Sequence, residues 1–97
     1  MEYVIIRSLH AGVFAGNLAK KEGSEITLES ARRLWYWSGA ASLSELAMSG
    51  VADPLGCKFP IPVEKLVVLD VTEIISTTKE AEDSIKAVPI WSVAKGV

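Results

Sequence analysis

The sequence has few of the residues that enzymes and small stabilised domains commonly use. Of its 97 residues, one is cysteine, one is histidine and four are proline. The single cysteine, Cys57, excludes an internal disulfide framework and any metal site built from several cysteines. The single histidine, His10, excludes a histidine-rich zinc site. We therefore expect no bound metal and no cofactor.

The chain also lacks a strong net charge and a long hydrophobic run. Ten basic and twelve acidic residues give a net charge of −2, which offers no general electrostatic case for a nucleic acid polymer or an anionic membrane. No apolar run approaches the ~18–20 residues that a membrane-spanning helix needs. The N-terminus begins with an acid and continues into strand-like sequence, unlike a signal peptide. We expect a cytoplasmic protein.

The length predicts a single domain over residues 1–97, near the lower end of what folds alone. Hydrophobic residues make up 49% of the chain, and the mean hydropathy of +0.30 is high for a small monomer. Part of that apolar surface is expected to lie in a subunit interface, so we predict a homo-oligomer.

The pattern of β-type runs and turn signals predicts an α+β domain with a small, mostly antiparallel sheet and two short helices, in the order β-β-β-β-α-β-α-β. Predicted strands cover 3–7, 12–18, 25–29, 32–37, 65–75 and 88–91, with 65–75 as a long central strand and 88–91 at an edge. Ser42 and Glu45 form a capping-box pattern for a helix near 42–50, and residues 77–80 repeat the pattern before a second helix.

Catalytic motifs are missing. The chain has no G-x-S-x-G elbow, no P-loop and no G-x-G-x-x-G run, and its only histidine is His10. Cys57 lies in a loop with no histidine close in sequence, which is more typical of an incidental thiol than of a nucleophile. We expect no enzymatic activity and assign no catalytic residue.

The segment 30–44 favours a binding role. It carries two arginines, two of the three tryptophans and no acid. On a strand, one face would present Arg33, Trp35 and Trp37, and the other would present Arg32, Leu34, Tyr36 and Ser38. Aromatic rings stack on nucleobases, and arginine binds phosphate with two hydrogen bonds. The strand therefore predicts a site for a small nucleotide.

The residues that follow add a predicted anion contact. Ser38, Gly39 and two alanines lead to the helix start at Ser42, where amides with little side-chain bulk around them favour a phosphate. Arg7 and His10 would either add charge from the neighbouring strand or lie exposed to solvent without a role, and Phe14 is a weaker stacking candidate between glycines. The tryptophans also have a structural interpretation: Trp35 and Trp37 could be core residues covered by the stems of Arg32 and Arg33.

Several blocks of the sequence resemble a family of small phage and prophage proteins of unknown function. The most specific is ARRLWYWSGAASL at 31–43, and weaker ones lie at 3–7, 11–16, 57–59, 71–75 and 88–91. Small oligomeric phage proteins of this kind include sponges that sequester nucleotide immune signals, such as the Thoeris anti-defence and Sequestin types. The resemblance implies a protein that acts in the cytoplasm of an infected bacterium.

The leading hypothesis is a phage protein that sequesters a nucleotide signal of the cyclic ADP-ribose type without cleaving it. The base or ribose would stack on Trp35 or Trp37, and the pyrophosphate would meet Arg32 or Arg33 and the amides near Ser42. The alternative is a protein-interaction module that binds a host protein, or another copy of itself, through the same Trp- and Arg-rich strand.

Overall fold

The computed structural model describes residues 1–93 and has the predicted α+β class. Its strands are β1 (Tyr3–Ser8), β2 (Gly12–Glu22), β3 (Glu25–Arg33), β4 (Val63–Val68) and β5 (Val71–Ser76). Its helices are α1 (Leu43–Ser49) and α2 (Lys79–Ala87), with one 3-10 turn at Pro54–Gly56.

The five strands form one curled sheet in the order β4-β3-β2-β1-β5, and all neighbours are antiparallel. β4 and β5 lie at opposite edges, yet only Leu69 and Asp70 connect them. In a flat sheet four strand spacings would separate these edges by roughly 19 Å. The link from Val68 to Val71 reaches about 11 Å at most. The sheet therefore curls until its edges approach each other at that end, where the Val71 amide donates to the Ser24 carbonyl over 2.9 Å.

The curl gives the sheet two differently covered faces. Both helices pack on the outer face, where Leu46, Ala47 and Ile85 join a cluster with residues of β1 and β2. The inner face holds a second cluster that includes Val4 and Ile6 and is fully buried without a helix over it. Because the strands themselves cover these side chains, the sheet has the character of a small barrel.

Both helices begin at the kind of cap that the sequence predicts. The Ser42 hydroxyl accepts from the Glu45 amide over 3.2 Å, and the Glu45 carboxylate accepts from the Ala41 amide over 2.6 Å. The cap of α2 is Thr78, one residue later than the pattern at 77–80 suggests, and its hydroxyl accepts from the Ala81 amide over 3.0 Å.

The predicted central strand at 65–75 is wrong. The run is divided at Leu69 and Asp70 into β4 and β5, which form the two edges of the sheet. Asp70 has φ +55°, a left-handed conformation that aspartate tolerates better than most residues. Of the apolar residues beside it, Val68 is buried and Val71 is half-buried, whereas Val67 and Leu69 are exposed at the edge of the sheet.

Other predicted strands differ in their bounds. β2 continues beyond the predicted 12–18 to Glu22, and the strands predicted at 25–29 and 32–37 join in β3. β3 ends at Arg33, although the Leu34 amide still donates to the Val13 carbonyl, and Tyr36 forms only an isolated bridge with Lys58. The predicted edge strand at 88–91 is reduced to one parallel bridge, between Ile90 and Phe59. These bridges bring segments 35–36, 58–59 and 90–91 side by side.

Candidate functional site

A β-bulge in β3 sets the direction of the two adjacent arginines. The β2–β3 register passes from Asn17 opposite Glu29 to Ala15 opposite Arg32, which leaves one extra residue in β3. Ser30 lies in this bulge with φ +52°. Beyond it, Arg32 turns to the helix-covered face, and Arg33 turns to the inner face.

Arg32 is buried, and its hydrogen bonds lie within the protein. Its Nε donates to the Pro60 carbonyl over 3.2 Å, Nη1 to the Ile85 carbonyl over 2.9 Å, and Nη2 to the Phe59 carbonyl over 3.1 Å. Ile85 is in the last turn of α2, where a cation stabilises the helix C-terminus. Burial lowers the pKa of Arg32 from its usual value. Its guanidinium is therefore a structural element and not a phosphate contact.

Arg33 is exposed, and two contacts hold its guanidinium in one orientation. Its guanidinium lies 4.5 Å from the centroid of the Phe14 ring, and its Nη1 donates to the Ala11 carbonyl over 2.9 Å. Among residues 1–93, no carboxylate forms an ion pair with it. The stack and the single hydrogen bond hold the group in place while leaving other N–H donors for a ligand.

Arg33 borders three cavities. A cleft of about 520 Å³ lies between it, His10 and residues 66–70 at the end of the curled sheet. A second cavity, of about 180 Å³, is lined by Arg33, Trp35 and Trp37 together with residues 11–13. A third, of about 90 Å³, reaches Ile61. The structure thus brings the three residues predicted to share a face to the walls of one cavity.

The two tryptophans of this segment differ in burial. Trp37 is partly buried and packs against the helix-side core. Trp35 is 59% exposed and stacks on Trp91 with ring centroids 5.2 Å apart and planes 17° apart. The Lys58 ammonium lies 5.3 Å from the centroid of Trp35 and 5.6 Å from that of Trp91. A platform of two rings with a cation beside it therefore adjoins the Arg33 cavity.

Lys58 and Trp91 are the residues that the sequence-based site omits. They are 23 and 56 positions after Trp35, and only the bridges through Tyr36 and Phe59 bring them together. No local pattern near either residue signals this contact. His10 is exposed and lines the cleft beside Arg33.

The residues around the start of α1 make contacts within their own loop. The Ser38 hydroxyl donates to the Asp53 carboxylate over 3.0 Å, and Gly39 has φ +87° where its chain passes close to Ala52. The carboxylate of Glu45 already occupies the anion position before the helix. Ser42 serves as the cap, and none of Ser38, Gly39 and Ser42 lines the three cavities beside Arg33.

Arg7, Phe14 and Cys57 also have structural partners. Arg7 pairs across the β1–β5 edge with Glu73, with Nε 2.9 Å from Oε1. Phe14 is buried in the inner core beneath Arg33, so its ring positions the guanidinium instead of offering a face to a base. The buried Cys57 thiol donates to the Asp53 carbonyl over 3.4 Å.

The chain belongs to the DUF6948 family, a domain of unknown function whose model matches residues 1–85. Comparison with curated proteins gave no significant match, and comparison with solved structures gave none either. Within residues 1–93, no helix is long and apolar enough to cross a membrane. The same residues contain no group of three His, Cys, Asp or Glu side chains placed to hold a metal ion.

Proposed function

We propose that this member of the DUF6948 family binds a small phosphorylated ligand of the nucleotide type and holds it without cleaving it. One observation carries the proposal: Arg33 is exposed, unpaired with any acid of residues 1–93, and borders three cavities, one of which it shares with Trp35 and Trp37. The cavity shared with the tryptophans is about 180 Å³, and the neighbouring cleft beside Arg33, about 520 Å³, is of the size that small-ligand sites usually have.

In this proposal Arg33 binds phosphate and Trp35 supplies the stacking surface. A guanidinium binds a phosphate through two parallel N–H donors, and its orientation by Phe14 and Ala11 reduces the entropy lost on binding. Trp35 keeps 59% of its surface exposed although it stacks on Trp91, which leaves ring surface on which a base can stack. Trp37 closes the cavity between them from the core side.

The finer proposal is that the ligand is a nucleotide immune signal of the cyclic ADP-ribose type. The protein would then be a phage or prophage anti-defence protein that sequesters this signal in the cytoplasm of the infected host, as the sequence resemblance implies. A sponge works at roughly stoichiometric amounts, so it requires tight binding and gains from a preformed site on a small subunit. We propose a homo-oligomer, with no nucleic acid polymer or membrane as partner.

Calorimetric titration with cyclic ADP-ribose isomers and ADP-ribose tests this proposal. Arg33→Gln and Trp35→Ala should each weaken binding by about 10- to 100-fold, because each removes a contact of about 1.5–3 kcal/mol. Lys20→Gln is the matched control, since Lys20 is exposed on β2 and pairs with Glu22. Chromatography of the ligand after incubation should recover it intact. Many turnovers per protein, or equal binding by all variants, would refute the proposal.

A protein-interaction module is the second candidate. Trp35, Tyr36 and Ile90 are all more than half exposed and lie on neighbouring segments, as protein hot spots often do. Mass spectrometry separates the candidates: the protein is incubated with infected-cell lysate, purified and denatured. Release of a stoichiometric nucleotide supports sequestration, whereas co-purification of a protein lost in Trp35→Ala, with no small molecule released, supports the module.

A further inference from the structure

We propose that Lys58 is a second phosphate-binding residue of the Arg33 site, so that the ligand carries two phosphates and contacts both cations. The inference rests on the proposed function and names the ligand class within it. The class is a nucleotide with two phosphate groups, either linked as a pyrophosphate or separated by a sugar. Trp35 lies between the two contacts and stacks on the base.

The first support is charge. Four surface cations pair with carboxylates: Arg7 with Glu73, Lys20 with Glu22, Lys79 with Asp83 and Lys86 with Glu82. Arg33 and Lys58 form no such pair among residues 1–93, and neither do the exposed Lys21 and Lys65 or the buried Arg32. Of these five, Arg33 and Lys58 lie against aromatic rings without being buried, and such rings stabilise a cation without neutralising it.

The second support is the geometry of the aromatic cluster. The Trp35 and Trp91 centroids and the Lys58 ammonium form a nearly equilateral triangle, with sides of 5.2, 5.3 and 5.6 Å. Lys58 is therefore close to both rings of the stacked pair. Trp35 is 59% exposed, so part of its ring remains accessible to a base beside Lys58.

The third support is that the backbone fixes the spacing of the two cations. The Lys58 amide donates to the Tyr36 carbonyl over 2.7 Å, and the Tyr36 amide donates back to Lys58 over 3.3 Å. Arg33 pairs with Phe14 at the other end of the same short segment. Three residue steps separate Arg33 from Tyr36, which is at most about 10 Å of chain. From that distance the long side chains of Arg33 and Lys58 can reach either two linked phosphates or two separated ones.

Titration with three probes tests the inference: adenosine 5′-monophosphate, ADP-ribose and adenosine 3′,5′-bisphosphate. Lys58→Gln should weaken binding of a two-phosphate probe about tenfold and leave the monophosphate unchanged, since it removes one charge-assisted contact. Lys58→Arg should retain most of the affinity. Lys86→Gln is the matched control, because Lys86 also lies over a ring, 5.0 Å from the centroid of Tyr3, but pairs with Glu82. Thermal melts should show that the variants remain folded.

The outcomes separate this inference from the proposed function. A loss confined to ADP-ribose identifies linked phosphates, and a loss confined to the bisphosphate identifies separated ones; either supports a second contact at Lys58. If Arg33→Gln weakens all probes and Lys58→Gln weakens none, the proposed function stands and this inference is overturned. If no probe binds the unaltered protein, both are overturned.

Discussion

Arg32 and Arg33 are adjacent in the chain, yet their guanidinium groups lie on opposite faces of the sheet. Arg32 lies 5.5 Å from the Phe59 ring centroid in the helix-side core, and Arg33 lies 4.5 Å from that of Phe14 on the inner face. Strand alternation after the bulge at Ser30 produces this separation. Arg32 is thereby buried among its hydrogen-bond acceptors, and Arg33 remains exposed.

Replacement of each arginine by glutamine should change the free energy of unfolding by unequal amounts. Arg32→Gln removes a buried guanidinium that satisfies three carbonyls, so the free energy of unfolding should fall by about 1.5–3 kcal/mol. Arg33→Gln should change it by less than about 1 kcal/mol, because only an exposed cation–π contact and one hydrogen bond are lost. Urea denaturation of both variants measures the difference. Equal destabilisation would mean that Arg33 is also a structural residue.

Leu34 and Tyr36 should differ in the same type of measurement, although strand alternation predicts that they share a face. Leu34 is buried at 2% exposure, so Leu34→Ala should cost about 2–5 kcal/mol. Tyr36 is 54% exposed, so Tyr36→Ala should cost less than about 1 kcal/mol. A large loss of stability in Tyr36→Ala would instead support the regular strand that the sequence pattern predicts at 32–37.

These contrasts show which features local pattern can predict. The period-two alternation correctly separates Arg32 and Leu34 from Arg33 and Trp35, because neighbouring residues on an extended chain point to opposite sides. It fails at Tyr36, where the chain leaves β2 and pairs with Lys58 instead. The capping pattern at Ser42 is correct because it depends only on residues within one helical turn.

The missed features all depend on contacts between distant parts of the chain. The turn at Asp70 lies within a continuous β-type run, and only the curl of the whole sheet explains why β4 and β5 separate there. Lys58 and Trp91 reach Trp35 through isolated β-bridges that no sequence spacing predicts. Likewise, Glu45 fills the predicted anion site before α1 because the carboxylate of a capping box turns back to the chain.

Gly39 should be required for folding and not for ligand contact. It has φ +87°, and a Cβ at this position would lie 2.5 Å from the Asp53 amide nitrogen and 2.6 Å from that of Ala52. Both neighbours are backbone atoms, so Gly39→Ala should destabilise the protein by on the order of 1–3 kcal/mol. Gly23→Ala is a control for conformation alone, because Gly23 has φ +60° but open space around it. If Gly39→Ala has the same melting temperature as the unaltered protein, the loop can move to relieve this close contact.

A homo-oligomer is expected at micromolar concentration. Exposed apolar side chains that include Ile61, Leu55 and Ile90 remain on a chain of 10.4 kDa, and large apolar patches are rare on small monomers. Light scattering over 1–100 µM, roughly the range in which weak dimers form, should give a mass at least twice that of one chain. A mass near one chain throughout this range would contradict the expectation.

Tyr3 should make stability fall at high pH. Burial raises the pKa of Tyr3 from 10.0 to about 12, with Arg32 opposing and Glu82 reinforcing the shift. Between these values the unfolded chain loses the phenolic proton while the folded protein keeps it, so deprotonation favours unfolding. The contribution is complete below pH 10 and is lost as the pH rises towards 12. The loss amounts to roughly 2–3 kcal/mol, since each unit of pKa difference is worth 1.36 kcal/mol.

Urea denaturation from pH 8 to pH 12 of the unaltered protein and Tyr3→Phe isolates this contribution. All other titratable groups are the same in both proteins, so the difference between the two curves reports Tyr3. The difference should be constant up to about pH 10 and then shift by up to roughly 2–3 kcal/mol in favour of Tyr3→Phe. Parallel curves over the whole range would mean that the Tyr3 hydroxyl ionises as readily in the folded protein as in the unfolded chain.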